Sequence, residues 1–119
     1  MYKLPKKLYL DDIIEQEVNL VCVGPYDAQI IFENGIVIQS FYKIEGEISG
    51  DKKLWFDEEW IDTSEILKVT KQKVVLVERE SDFIFKIVLS NGLALYFHTE
   101  ISQYESINIR RLDDTLDII

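Results

Sequence analysis

The chain has little of the chemistry that most metal sites and nucleophilic sites use. Its 119 residues include one cysteine, Cys22, and one histidine, His98. A single cysteine excludes an internal disulfide, and zinc sites need several His or Cys ligands at set spacings. The glycines are isolated and no nucleophile stands in a recognisable turn, so neither a phosphate-binding loop nor a nucleophilic site is predicted. We therefore predict no metal, no cofactor and no enzymatic activity, and we interpret His98 as a surface strand residue rather than a base.

Long apolar runs are also missing. No stretch approaches the length of a membrane span, and the basic start of the chain is not followed by the apolar core of a signal peptide. The lone cysteine is typical of a reducing compartment. These features predict a cytoplasmic protein that does not enter a membrane.

Positive charge is scarce relative to negative charge. Thirteen Lys and Arg residues stand against 22 Asp and Glu residues, for a formal net charge of −9. Nucleic-acid backbones are bound by basic surfaces, so this balance predicts no nucleic-acid partner. It favours a basic protein partner, and the plainer alternative is an acidic surface that only confers solubility.

Two Asn-Gly turns organise the chain. Glu33-Asn34-Gly35 and Ser90-Asn91-Gly92 each stand between alternating apolar residues, the strongest short-range signal of a β-hairpin. A three-residue loop places Ile30 opposite Ile38 and gathers the large apolar residues on one face, whereas a two-residue loop divides them between both faces. We therefore predict type I turns closed by a glycine bulge, with both glycines at positive φ.

Each hairpin is preceded by a further strand and by a pattern typical of a helix start. Asp12 with Glu15, and Asp62 with Glu65, have capping-box spacing. The chain therefore divides into two similar units, each a helical turn followed by three strands, over residues 11–48 and 62–109. Residues 36–44 are predicted as one strand, and residues 45–53 as either a loop or a short second hairpin.

These patterns predict a single domain over residues 1–119. Its fold class is α+β, with mainly antiparallel strands, short helices and two similar units related by a pseudo-twofold axis. An acidic aromatic segment, residues 49–61, joins the units. A chance resemblance between two β-meanders is the alternative to a duplication.

The candidate partner-binding stretch runs from Trp55 to Glu65, and Glu45, Glu47 and Asp51 extend its acidic face, so that residues 45–65 are involved in all. Tryptophan is enriched at the energetic centres of interfaces, and acidic residues around aromatic anchors suit a basic partner. In the alternative interpretation Trp55, Phe56 and Trp60 fill the junction between the units and the acids are only solvated. The predicted partner-binding residues are Glu45, Glu47, Asp51, Trp55, Asp57, Glu58, Glu59, Trp60 and Asp62.

A series of strand and turn motifs extends over about residues 12–109. The motifs are Ile30-Ile31-Phe32-Glu33-Asn34-Gly35-Ile36-Val37-Ile38, Phe41, Ile44-Glu45-Gly46, Ile66-Leu67, Val74-Val75, Asn91-Gly92 and Tyr104-Glu105-Ser106-Ile107-Asn108-Ile109. In these motifs the chain resembles a family of small bacterial immunity proteins from polymorphic-toxin and contact-dependent growth inhibition systems. The resemblance implies a cytoplasmic protein that binds and neutralises one cognate toxin domain, and it transfers no catalytic residue.

The composition fits that implication, because nuclease toxins are typically basic and an acidic binder gains association rate from electrostatic steering. We therefore expect an immunity protein that blocks a basic nuclease domain sterically and through its acidic surface. The alternative is a structural or oligomerisation module that pairs with a second copy through an exposed strand edge, for example Val18–Val23. The expected oligomeric state is left open between a monomer and a weak homodimer.

Overall fold

The computed structural model describes residue 4 and residues 10–25, 27–56, 68–99, 107–111 and 116–118. Strands take up 59% of these residues and helical conformations only 5%. The predicted α+β class with helical units is therefore wrong, because the described chain is almost entirely antiparallel β structure. The strands are β1 (Val18–Val23), β2 (Ala28–Phe32), β3 (Val37–Ser40), β4 (Lys43–Ile48), β5 (Asp51–Phe56), β6 (Val74–Arg79), β7 (Ile84–Leu89), β8 (Ala94–His98), β9 (Ile107–Arg110) and β10 (Leu116–Ile118).

The described strands form two five-stranded antiparallel sheets. Sheet 1 has the order β1-β2-β3-β9-β10, and sheet 2 has the order β5-β4-β8-β7-β6. β4 follows β3 in the chain but lies in sheet 2 beside β8, while β9 follows β8 but lies in sheet 1 beside β3. The earlier part of the chain thus contributes β4 and β5 to sheet 2, and the later part contributes β9 and β10 to sheet 1. We refer to this arrangement as the strand exchange.

The strand exchange depends on a break at Phe41 and Tyr42. β3 ends just before these residues and β4 begins just after them, so the prediction of one strand over residues 36–44 is wrong. At this break the chain passes from sheet 1 to sheet 2 while its apolar side chains stay in the core, because Ile38 of β3 and Ile44 of β4 are both buried. The break contains neither glycine nor proline, the residues that most often mark such a point.

Residues 45–53 form the second hairpin that was one of the two predicted alternatives. β4 and β5 pair with Ile48 opposite Asp51. The two residues between them, Ser49 and Gly50, have φ values of 53° and 84°. Positive φ at both central residues is the requirement of a type I′ turn, whose twist matches that of the flanking strands.

The two Asn-Gly hairpins have the predicted register. Ile30 lies opposite Ile38 in the first, and the N–H of each turn glycine donates to the carbonyl three residues earlier at 2.9 Å. Gly35 and Gly92 have φ values of 87° and 89°. The prediction of three-residue loops with positive-φ glycines is confirmed. The side chain of each turn asparagine also fastens its hairpin to the segment ahead of the preceding strand, because Nδ2 donates to a carbonyl there at 3.0 Å in both turns.

The segment ahead of β1 is not the helix start that the sequence pattern predicts. It is a three-residue 3-10 helix, Asp11–Ile13, with no side-chain capping bond. Asp12 instead accepts a hydrogen bond from Arg111 Nε at 2.8 Å. Glu15 has a φ of 68°, and its N–H donates to the carbonyl of Val74 at 2.8 Å. This hydrogen bond to the other half of the chain is incompatible with a helix continuing through Glu15. Tertiary pairing therefore overrides the capping-box pattern of Asp12 and Glu15. The second predicted helix start, residues 62–65, lies outside the described residues.

A pseudo-twofold relation is visible where the two halves meet. Glu15 and Lys71 both have a φ of 68°. The Glu15 N–H donates to Val74, and the Lys71 N–H donates to Val18, each at 2.8 Å. β1 and β6 then run outward from this meeting point with the same bulge and the same burial pattern. The sheets are therefore joined where both edge strands begin.

The core lies between the two sheets. Alternate residues of the inner strands are buried, as a sheet with one covered face requires. Phe85 and Phe97 stack with ring centroids 4.9 Å apart. The largest fully buried side chains are Phe32, Phe85, Phe97, Leu10, Ile13, Ile38, Ile87, Leu89, Leu93, Leu95, Ile107 and Ile109.

Candidate functional site: the outer face of sheet 2

Two of the predicted partner-binding residues, Glu45 and Glu47, lie on the outer face of sheet 2. Ile44 and Gly46 of β4 are buried against the core. Because successive side chains of a strand point to opposite sides, Glu45 and Glu47 project outward. β8 pairs with β4 and places Tyr96 directly opposite Glu45. We use "the outer face" below for the side chains of Lys43, Glu45, Glu47, Lys52, Glu78, Glu80, Lys86, Tyr96 and His98.

Glu45 and His98 form the shortest side-chain contact on the outer face. His98 Nε2 lies 2.6 Å from Glu45 Oε1, and both side chains are largely covered, at 16% and 20% exposure. Burial lowers the pKa of His98 below its usual value, and this outweighs the opposing effect of the Glu45 carboxylate, while the nearby lysines Lys43 and Lys52 lower it further. At neutral pH the contact is therefore a hydrogen bond from a neutral imidazole N–H to a carboxylate.

Tyr96 connects the second carboxylate to a lysine. Its hydroxyl donates to Glu47 Oε1 at 3.0 Å, and Lys52 Nζ lies 4.0 Å from the centre of its ring. Burial, together with the hydrogen bond to Glu47, raises the pKa of Tyr96. The hydroxyl is therefore protonated at neutral pH and remains a donor. The ring holds a cation over its face while its hydroxyl holds an anion at its edge.

Charges of both signs also lie side by side on the part of the outer face formed by β7 and β6. Lys86 Nζ lies 2.9 Å from Glu80 and 4.0 Å from Glu78. Lys86 is also the cross-strand neighbour of Tyr96. The outer face thus presents carboxylates that are each placed beside a lysine, a histidine or a tyrosine. It is a mixed surface with fixed acidic groups and not a uniformly negative one.

The structure brings together only part of the predicted partner-binding set. Glu45 and Glu47 are neighbours on the outer face, and Asp51 is exposed beside the β4–β5 turn. Trp55 is buried at 4% exposure. Five predicted residues lie outside the described part of the chain: Asp57, Glu58, Glu59, Trp60 and Asp62.

Trp55 lies on the inner side of the same two strands, directly over Gly46. A Cβ atom added at Gly46 would lie 2.3 Å from Cε2 of the indole ring. The ring therefore occupies the space that any other residue at position 46 would need. The indole N–H is buried and has no hydrogen-bond partner among the described residues. Trp55 packs on the inner side of Gly46, the residue between Glu45 and Glu47. This packing fixes the backbone from which the two glutamates project.

Sequence reasoning did not identify Lys52, Lys86, Tyr96 or the pairing of His98 with Glu45. Tyr96 and Lys86 are cross-strand neighbours in a predicted hairpin, so their contact followed from the register. The contacts to Glu45 and Glu47 depend on β4 lying beside β8, residues about fifty positions apart, and no local pattern marks that pairing. Within the described residues, no group of three or more His, Cys, Asp or Glu side chains could hold a metal ion.

No family model, no curated protein and no solved structure matches the chain.

Proposed function

We propose that the protein is a non-enzymatic immunity protein of the cytoplasm that binds a basic toxin domain, such as a nuclease, and blocks it with the outer face of sheet 2. The observation that carries the proposal is the fixed placement of Glu45 and Glu47 on a protein of net charge −9. The net charge attracts a basic partner over distance, and the fixed carboxylates meet its Lys and Arg side chains at contact.

The contacts on the outer face favour binding because they hold the carboxylates in place before a partner arrives. A glutamate that must be immobilised on binding loses side-chain entropy, at about 0.5–1.5 kcal/mol for each ordered side chain. Tyr96 holds Glu47 and His98 holds Glu45, so part of this cost falls on folding instead. A pre-positioned carboxylate also suits the paired donors of an arginine side chain.

The lysines on the outer face give the proposed interaction its specificity. A partner that offers only positive charge meets Lys43, Lys52 and Lys86 as well as the glutamates. The favourable partner is one whose charges alternate in the complementary order, because each mismatched pair brings like charges together. We therefore expect one cognate toxin domain and discrimination against other basic proteins.

The test begins with identification of the partner. The tagged protein is used for affinity capture from cells of the organism that encodes it, with a high-salt wash and intact-mass analysis. We expect a stoichiometric basic polypeptide, whose toxic activity is then assayed with and without added protein. Recovery of no such polypeptide, or of one whose activity is unaffected by the protein, would refute the proposal.

Charge reversal then tests whether the outer face is the contact surface. Glu45→Lys combined with Glu47→Lys moves the net charge from −9 to −5, because each replacement adds two units. We expect the captured partner to bind about tenfold more weakly or worse, with faster dissociation and a flatter salt dependence between about 50 and 300 mM.

A matched control separates contact from long-range attraction. Asp11 and Glu15 are exposed and lie near the meeting point of the two halves, off the outer face. Changing both to lysine gives the same net charge of −5. The control should slow association by a similar factor and leave the dissociation rate unchanged. Equal dissociation rates for the two double variants would show that the outer face does not contact the partner.

A further inference from the structure

A row of apolar residues adjoins the outer face on the same side of sheet 2. Leu76 of β6 lies opposite Val88 of β7, and Val88 lies opposite Ala94 of β8. Ala94 in turn lies opposite Glu47. Residues directly opposite one another on neighbouring strands share a face of the sheet, so these apolar residues are on the same side as Glu47. We call Leu76, Val88 and Ala94 the apolar row.

Leu76 is the accessible end of the apolar row. It is 43% exposed, whereas Val88 is partly buried and Ala94 is buried. Three large apolar residues are exposed in the described part of the chain, and two of them, Val75 and Leu76, are neighbours at this end of β6. A single exposed leucine needs no explanation on a protein surface. The surroundings of Leu76 therefore have to decide whether it has a role.

The pseudo-twofold relation provides the comparison. Leu20 follows the bulge of β1 as Leu76 follows the bulge of β6, and Leu20 is 51% exposed. The row of residues next to Leu20 on the outer side of sheet 1 is uncharged and consists of Cys22, Gln29, Gln39 and Asn108. The equivalent row next to Leu76 consists of Glu78, Lys86, Tyr96 and Glu45. The two leucines thus share a backbone setting, but only Leu76 lies beside the fixed charges of the outer face.

The apolar row supplies a component that the outer face lacks. A stable interface has an apolar centre that loses its water and a polar rim around it. Charged groups contribute more to association rate and specificity than to affinity. Glu45 and Glu47 therefore attract and orient a basic partner, and an apolar contact close to them would slow its dissociation.

The dimensions of sheet 2 allow one partner to reach both features. Strands β8 and β7 lie between β4 and β6. Because neighbouring strands are about 4.8 Å apart, Leu76 lies about 14 Å across the sheet from Glu47. A standard interface covers about 800 Å² on each partner, which corresponds to a patch about 28 Å wide. A single domain can therefore cover Leu76 and both glutamates.

We propose that Leu76 is the apolar anchor of the toxin interface, an inference that rests on the proposed function. The basic toxin domain carries an exposed apolar side chain about 14 Å from the basic side chains that meet Glu45 and Glu47. That side chain packs on Leu76 and Val88 when the charges are paired. The partner is thus recognised by one apolar group and its distance from a basic cluster, and not by positive charge alone.

Matched substitutions at the two equivalent leucines test the anchor. Leu76→Thr removes the apolar side chain and keeps a β-branched residue suited to a strand, and Leu20→Thr makes the same change on sheet 1. The probe is the basic polypeptide recovered by affinity capture, and its binding rates are measured by surface plasmon resonance. We expect it to dissociate at least about tenfold faster from Leu76→Thr, with little change in association, and at the wild-type rate from Leu20→Thr. Thermal unfolding followed by circular dichroism checks that both variants are folded.

Salt dependence and a conservative variant separate the apolar contact from the charges. Salt screens charge pairs and not apolar contacts, so the loss caused by Leu76→Thr should stay constant between about 50 and 300 mM salt. The loss caused by Glu45→Lys with Glu47→Lys should shrink over the same range. Leu76→Met keeps an apolar side chain of similar volume, and its dissociation rate should stay within about threefold of wild-type.

Failure of the anchor can be distinguished from failure of the proposed function. Equal dissociation rates for Leu76→Thr and Leu20→Thr would overturn the anchor, and so would a Leu76→Met protein as impaired as Leu76→Thr. In either case a captured toxin that is neutralised and that responds to charge reversal at Glu45 and Glu47 leaves the proposed function intact. Capture of no toxic polypeptide would refute both.

Discussion

Gly46→Ala should destabilise the protein by displacing Trp55. The added Cβ would lie 2.3, 2.5 and 2.6 Å from three atoms of the indole ring, whereas ordinary van der Waals contact begins near 3.4 Å. The ring or the strand must therefore move by about 1 Å. Overpacking of this kind costs about 1–3 kcal/mol. Expelling the ring altogether exposes about 150–250 Å² of apolar surface, worth about 4–6 kcal/mol.

The protein will take the cheaper of these two responses, which is overpacking, so we expect the free energy of unfolding to fall by about 1–3 kcal/mol. The sign is informative, since Gly→Ala at an unstrained position normally stabilises by about 0.4–1 kcal/mol. Gly24→Ala provides the control. A Cβ there meets the Asp27 carboxylate at 3.2 Å, the end of a flexible side chain, and the cost should stay below about 1 kcal/mol.

The assay is urea denaturation followed by far-UV circular dichroism, because tryptophan fluorescence would report on the ring that moves. A double-mutant cycle with Trp55→Leu isolates the contact. If the clash is the cause, the double variant should lose at least about 1 kcal/mol less than the sum of the single losses. A Gly46→Ala variant as stable as Gly24→Ala, or additive losses in the cycle, would refute the close packing of Trp55 on Gly46.

Two further predictions concern His98 and the glycines of the Asn-Gly turns. Burial lowers the pKa of His98 in the folded protein. Below about pH 6.5 the imidazole therefore binds a proton more readily in the unfolded chain than in the folded one. The free energy of unfolding should thus decrease as the pH is lowered through this range. His98→Gln keeps a hydrogen-bond donor for Glu45 and removes this titration. In urea denaturation, the difference in stability between wild-type and variant should change between pH 7 and 5 and stay constant above pH 7.5. A difference that is constant over the whole range would contradict the prediction. Gly35→Ala and Gly92→Ala place a side chain at φ values of 87° and 89°, and each should cost about 1–2 kcal/mol. Equivalence of the two turns requires the two losses to agree within about 1 kcal/mol in the same assay.

The hairpins were predictable because their signals are local. An Asn-Gly pair and an alternating apolar face determine loop length and register within about ten residues. The capping-box pattern at Asp12 and Glu15 is equally local, yet it was misleading. The hydrogen bond from the Glu15 N–H to Val74 comes from the other half of the chain, and it decided the conformation against the local preference.

The candidate site was predictable only in part for the same reason. The acidic character of Glu45 and Glu47 was evident, and both project from the outer face. Their partners His98 and Tyr96 arrive through the strand exchange, which has no local signature at Phe41 and Tyr42. The burial of Trp55 likewise depends on the hairpin of β4 with β5 and on Gly46, which leaves the space that the indole ring occupies.

The strand exchange also governs when the protein can fold during its synthesis. β4 is synthesised long before β8, its neighbour in sheet 2. In the same way, β3 is synthesised long before β9, its neighbour in sheet 1. Neither sheet can be completed from its own half of the chain, so folding has to follow translation of almost all the residues. Until then the nascent chain exposes the unpaired edges of β3 and β4, which makes this interval its period of greatest vulnerability to aggregation.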